Sequence, residues 1–93
     1  MKFVHVDGRD FGDVKLYALS TCGWCNKTKA LLSELGTGFS YVYVDLLSEE
    51  EMEETMHEFE KYNPNGSFPT LVINHSHGIV GFREDEIRKA FRK

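Results

Sequence analysis

Apolar and polar positions change period several times along the chain, and each change marks an element. Residues 14–19 (VKLYAL) form a short apolar and aromatic run bounded by Gly12 and by Ser20-Thr21, which suits a buried strand better than a helix. From Trp24 the apolar positions recur as a helical stripe through Thr28, Leu31, Leu32 and Leu35, and Gly36 stands where a left-handed helix C-cap belongs. Residues 39–44 (FSYVYV), rich in aromatic and β-branched side chains, return the chain to strand. Strand, helix and strand in this order predict a βαβ unit, whose strands run parallel with a right-handed connection.

A second helix is announced by local chemistry. Ser48 with Glu51 fits a capping box, and Leu47 with Met52 fits the hydrophobic staple around it. Met52, Met56 and Phe59 supply a narrow apolar face. Glu49, Glu50, Glu51, Glu53, Glu54, Glu58 and Glu60 cover the remainder, which reads as a solvated face whose early carboxylates suit the helix dipole.

After a loop at 62–67 comes Phe68-Pro69, then residues 70–74 (TLVIN), a turn through His75-Ser76-His77-Gly78, and residues 79–82 (IVGF), a predicted hairpin. The last segment places Ile87, Ala90 and Phe91 on one side and Arg88, Lys89 and Arg92 on the other, giving a short amphipathic helix. From Val14 the order is therefore βαβαββα, an α/β pattern. Residues 2–6 (KFVHV) alternate and are a candidate edge strand whose pairing the sequence leaves open.

Ninety-three residues make one compact domain, on a prior of roughly 100–200 residues per domain. With 41% apolar and 28% charged residues the composition is ordinary globular. Eleven Lys and Arg against fifteen Asp and Glu leave a net charge of −4, the wrong sign for neutralising a phosphate backbone, so no nucleic-acid partner is expected. The amino terminus carries charge and glycine where a secretory signal needs an apolar run of about 7–15 residues, and no stretch approaches the about 18 apolar residues of a membrane span. The expectation is a cytoplasmic protein without a membrane partner. In that reducing compartment a cysteine pair is more often catalytic or metal-binding than structural.

The pair present is Cys22-Gly23-Trp24-Cys25, between the end of a strand and the first turn of a helix. Free backbone N–H groups and the positive end of the helix dipole favour a thiolate there, and Cys22 is the residue so placed. Cys25, one turn on, can close a small ring and resolve by thiol exchange a mixed disulfide formed at Cys22. The competing reading is half of a zinc site. It lacks a second cysteine pair, and His75 and His77 are separated by one residue on a turn, unlike the usual finger spacing, so no metal is expected. His5 and His57 have no evident partner, and Tyr17 and Phe82 read as core.

Taken in order, the strand leading into Cys22-Gly23-Trp24-Cys25, the segment Ser67-Phe68-Pro69-Thr70 and the segment from Gly78 to Asp85 resemble a glutaredoxin-type member of the thioredoxin superfamily, from Val14 to about Phe91. The resemblance implies the glutaredoxin fold, with a four-stranded mixed sheet and any N-terminal strand as an addition. Residues 1–13 are then an N-terminal extension and 14–93 the glutaredoxin-like domain. Pro69, on sequence alone a strand-start proline, is by resemblance cis and faces the dithiol, where neighbouring backbone can pair with an extended substrate. Trp24, otherwise a core aromatic, becomes an exposed docking residue beside the nucleophile.

Departures from glutathione-using relatives are equally specific. These carry a lysine three residues before the first cysteine, paired glycines near the last strand and paired aspartates at the last helix. Here the same places hold Leu19, Val80-Gly81 and Arg83-Glu84. The string Gly81-Phe82-Arg83 with Asp85 and Ile87 instead resembles the glutaredoxin-like redoxins that serve ribonucleotide reductase, whose electrons come from a thioredoxin reductase.

The sequence reading is thus a monomeric dithiol–disulfide oxidoreductase with no bound cofactor beyond a Cys22–Cys25 disulfide, an external thiol or disulfide reductase as electron donor, and a protein-disulfide client such as ribonucleotide reductase. Cys22 attacks and Cys25 resolves. Phe68, Pro69 and Thr70 shape the substrate groove, with Trp24, Gly81 and Arg83 as contacts. Its rivals are a glutathione-dependent glutaredoxin and an iron–sulfur carrier in which Cys22 thiolates of two chains share a cluster with two external thiols.

Overall fold

Val14–Ala18 (β2), with four of its five residues buried, lies at the centre of the sheet, where both faces of a strand are covered. The computed structural model describes residues 3–91. Within them Val4–Val6 (β1), β2, Phe39–Tyr43 (β3), Thr70–Ile73 (β4) and His77–Val80 (β5) form one sheet in the order β1-β3-β2-β4-β5. Three helices accompany it: Gly23–Glu34 (α1), Glu49–Phe59 (α2) and Glu84–Ala90 (α3). β2 pairs parallel with β3 and antiparallel with β4, so the sheet is mixed, as the βαβ unit followed by a hairpin requires.

The side chains of β2 alternate between two cores. Val14, Leu16 and Ala18 pack with Leu31 and Leu32 of α1 and Ile87 of α3, whereas Tyr17 packs with Val42, Val72 and Phe59 on the α2 side. Leu16, Leu32, Phe59 and Ile87 are fully buried, and burial of such a side chain stabilises by about 1.5–3 kcal/mol.

Local signals set the helix ends. Gly36 takes φ +70°, its N–H donates to the Ser33 carbonyl, and the Thr37 N–H donates to that of Leu32, the paired bonds of a Schellman cap. At the start of α2, Ser48 Oγ accepts the Glu51 N–H at 3.2 Å. The capping box closes through the hydroxyl, which donates to the Glu51 carboxylate at 3.1 Å.

Three features differ from the sequence reading. The 39–44 strand ends at Tyr43, and Val44–Leu46 forms a 3₁₀ turn. The hairpin turns earlier than expected: Asn74 and His75 take positive φ, and His77 pairs with Ile73 inside the ladder. β5 stops at Val80 because Gly81, at φ +85°, turns the chain out of the ladder and takes Phe82 with it. The candidate N-terminal edge strand is present: Val4–Val6 pairs antiparallel with β3, Val4 opposite Tyr41, giving the sheet five strands. Lys2 of the candidate edge strand and Arg92 of the terminal segment lie outside the described residues. Among the described residues, no helix is long and apolar enough to cross a membrane.

Candidate active site

β2 and β3 run parallel, so their C-terminal ends open one edge of the sheet, and there the chain turns from β2 into α1. Cys22 caps α1 in an extended conformation, φ −92° and ψ 117°. Its Sγ accepts the Cys25 N–H at 3.1 Å, and its carbonyl accepts the Asn26 N–H at 3.1 Å. The sulfur thereby takes one of the donors that a helix start leaves unpaired, at the dipole end where negative charge is favoured.

Both cysteines are free thiols, Cys22 half-buried and Cys25 buried. Burial, followed by the hydrogen bond with Cys22, pushes the Cys25 thiol up to about 12. At neutral pH Cys25 therefore holds its proton, while the sulfur within reach of a partner is that of Cys22.

Beside the dithiol, Trp24, Phe68, Pro69, Gly81 and Phe82 line a concavity of about 280 Å³. The Phe68–Pro69 peptide is cis. Trp24 is 58% exposed and so is not a core aromatic. One contact of its indole is the Phe82 ring at 5.8 Å and 28°, and Lys27 Nζ stands 4.6 Å from its centroid. Phe82, half-buried against the core on the α1 side, also lines the groove, a role the sequence reading did not give it. The available signal was Gly81, which ends the strand before Phe82 is reached.

Behind the groove, Asn63 supports the proline loop. It is 3% exposed, and its Nδ2 lies at 3.1 Å from the Ser67 carbonyl and at 3.0 Å from both Ser67 Oγ and Thr70 Oγ1. Thr70 Oγ1 donates to the Ser67 carbonyl at 3.0 Å, so the Thr70 side chain is turned into this network and away from the groove lining. Asn63 was missed in the sequence because a polar residue after a helix reads as loop; its burial appears only in three dimensions. Phe68 stacks on Phe59 at 5.0 Å, joining the groove to the α2 core.

Arg83 stands next to the groove. Its Nε donates to the Val80 carbonyl at 3.0 Å, and it lines an adjoining polar concavity with Glu84, Asp85, Glu86 and Lys89. The fold thus brings Cys22, Cys25, Trp24, Phe68, Pro69 and Gly81 to one end of the sheet, with Thr70 beneath and Arg83 at the side. His75 and His77 lie at the β4–β5 turn at the other end, against Asp13 (3.1 Å) and Glu86 (3.4 Å).

Known proteins share this architecture. The glutaredoxin family model matches residues 14–77. The glutaredoxin from Methanosarcina mazei Go1 superposes with a TM-score of 0.91 at 50% identity, over 100% of this chain and 90% of that one. Methanoredoxin from Methanosarcina acetivorans gives 0.89 at 49% identity, over 92% and 90%. An uncharacterized glutaredoxin-like 8.6 kDa protein in the rubredoxin operon of Clostridium pasteurianum is 32% identical over 80 residues, 86% of this chain and 99% of that protein. With its sequence matched to the family over most of its length, and its fold to glutaredoxins of half-identical sequence, the chain belongs to the glutaredoxin family of the thioredoxin superfamily.

Proposed function

We propose that this glutaredoxin reduces protein disulfides through the Cys22–Cys25 dithiol, carrying electrons from a disulfide reductase to a client protein in the cytoplasm. The observation that carries this reading is the unequal placement of the two thiols: Cys22 Sγ caps α1 on the Cys25 N–H, and Cys25 is buried with its proton held.

Cys22, as thiolate, attacks one sulfur of the client disulfide; the client's other sulfur leaves as a thiolate and takes up a proton. Cys25 then gives its proton to solvent, its sulfur attacks Cys22, and the second client thiol departs. The client gains two electrons, and the protein is left with a Cys22–Cys25 disulfide for the donor to reduce. Trp24, Phe68, Pro69, Gly81 and Phe82 form the surface on which the client segment lies, and Arg83 extends it with a cation. Ribonucleotide reductase is the client favoured by the segment Gly81-Phe82-Arg83, and the rubredoxin-operon setting of the Clostridium pasteurianum relative supports a redox-partner role.

The test is catalytic reduction of insulin disulfides by substoichiometric protein with a dithiol reductant. Many turnovers per protein molecule are expected, and a rate equal to the uncatalysed background overturns the proposal.

A further inference from the structure

We propose that Asp45 is the positioning residue of the dithiol loop: at the seam between β2 and β3, its side chain continues the pairing that the backbone abandons. The inference rests on the redox reading of Cys22 and Cys25.

The parallel ladder pairs Lys15 with Ser40, Leu16 with Tyr41, Tyr17 with Val42 and Ala18 with Tyr43. Two steps further in the same register, Ser20 falls opposite Asp45. Backbone pairing has ended by then, because β3 has turned into the 3₁₀ turn at Val44–Leu46. The Ser20 N–H donates instead to Asp45 Oδ1 at 2.9 Å, and Ser20 Oγ donates to Asp45 Oδ2 at 2.5 Å. A side-chain carboxylate thus stands in for a strand carbonyl two residues before the nucleophile.

The segment it holds has weaker support otherwise, since the Cys22 N–H reaches the Leu19 carbonyl at 3.3 Å, a long bond. Charge-assisted bonds of the Ser20–Asp45 kind are shorter and stronger than neutral ones. They also hold the Asp45 carboxyl below the usual carboxylate range, so it stays ionised, and that charge opposes ionisation of Cys25. Ring closure needs Cys22 held at the start of α1 against Cys25, and the Ser20–Asp45 pair fixes the chain entering that position.

A bis(carboxynitrophenyl) disulfide separates the two steps. Attack by Cys22 releases one nitrothiobenzoate and leaves the other on Cys22; attack by Cys25 on Cys22 releases the second, so two equivalents appear as the dithiol becomes a disulfide. In stopped flow, Asp45→Ala is expected to slow the second release on the order of tenfold while altering the first by less than about twofold. Asp45→Asn, which keeps an acceptor for the Ser20 N–H and offers a donor to Ser20 Oγ, retains at least about half the wild-type second rate. Asp45→Glu, whose carboxylate lies one methylene out of register, slows like Asp45→Ala and carries the comparison if the alanine variant does not fold by circular dichroism. An unchanged second rate in Asp45→Ala (or in Asp45→Glu when it replaces it), or an Asp45→Asn as slow as the disrupted variants, overturns the positioning role. Failure of the wild type to release a second equivalent counts instead against the redox reading.

Discussion

Trp24 and Phe82 stack at 5.8 Å with their planes 28° apart, although their positions lie far apart in sequence, one in α1 and one beyond the last strand. The contact gives the exposed indole a fixed backing, and Lys27 Nζ at 4.6 Å adds a cation to the same ring. An aromatic anchor whose orientation is preset loses less freedom when a partner docks.

Phe82→Ala is therefore expected to raise KM for insulin on the order of threefold to tenfold, with turnover of a small aromatic disulfide changed less than about twofold. Trp24 is the only tryptophan, so its emission should shift to the red as the ring loses its cover. An unchanged KM with a shifted emission would show that the stack is structural and unrelated to docking.

The sequence located the dithiol, the proline loop and the α2 N-cap because each is written in residues close along the chain: Cys22 with Cys25, Phe68 with Pro69, Ser48 with Glu51. It did not show Phe82 in the groove as well as against the core, since an aromatic after Ile79 and Val80 continues an apolar alternation that only the positive φ of Gly81 interrupts. The resemblance of Ser67-Phe68-Pro69-Thr70 to the family's proline loop implies Thr70 in the groove, yet Asn63 and Ser67 draw its hydroxyl inward. The sequence leaves the pairing of Val4–Val6 open, because a short alternation such as that of residues 2–6 does not state which edge it joins.

Burial raises Cys25 from 9.0 to about 12, so folding makes it a weaker acid than it is in the unfolded chain. The sign follows: its stabilisation of the reduced fold is complete below pH 9 and is lost as the pH climbs from there towards 12. Tyr17, raised from 10.0 to about 12 chiefly by burial, adds the same sign over the upper part of that window. The urea midpoint of the reduced wild type should therefore fall more steeply between about pH 8 and pH 10.5 than that of reduced Cys25→Ala, which keeps Tyr17. Parallel slopes would contradict the buried, protonated state of Cys25.

Glutathione is expected to be a poor electron donor. A tripeptide with two carboxylates needs fixed cationic or amide anchors beside Cys22, and Leu19 offers an apolar side chain packed on the Tyr17 core where glutathione-using relatives carry lysine. Val80 occupies the place of a glycine in β5, and Arg83 is tied through Nε to the Val80 carbonyl. Steady-state reduction of insulin should be slow and unsaturable with glutathione and saturable with a flavin- or iron–sulfur-based disulfide reductase. Saturation by sub-millimolar glutathione, at a turnover matching the reductase route, would reverse this assignment.

The division of roles between the two thiols is tested most directly by trapping. A synthetic peptide carrying one internal disulfide is offered to reduced Cys25→Ser and Cys22→Ser, and the products are resolved by intact-mass spectrometry. The account predicts a stable one-to-one adduct through Cys22 in Cys25→Ser and none in Cys22→Ser, because only the sulfur that caps α1 is both accessible and placed to attack. An adduct through Cys25, or equal trapping by both variants, would contradict it.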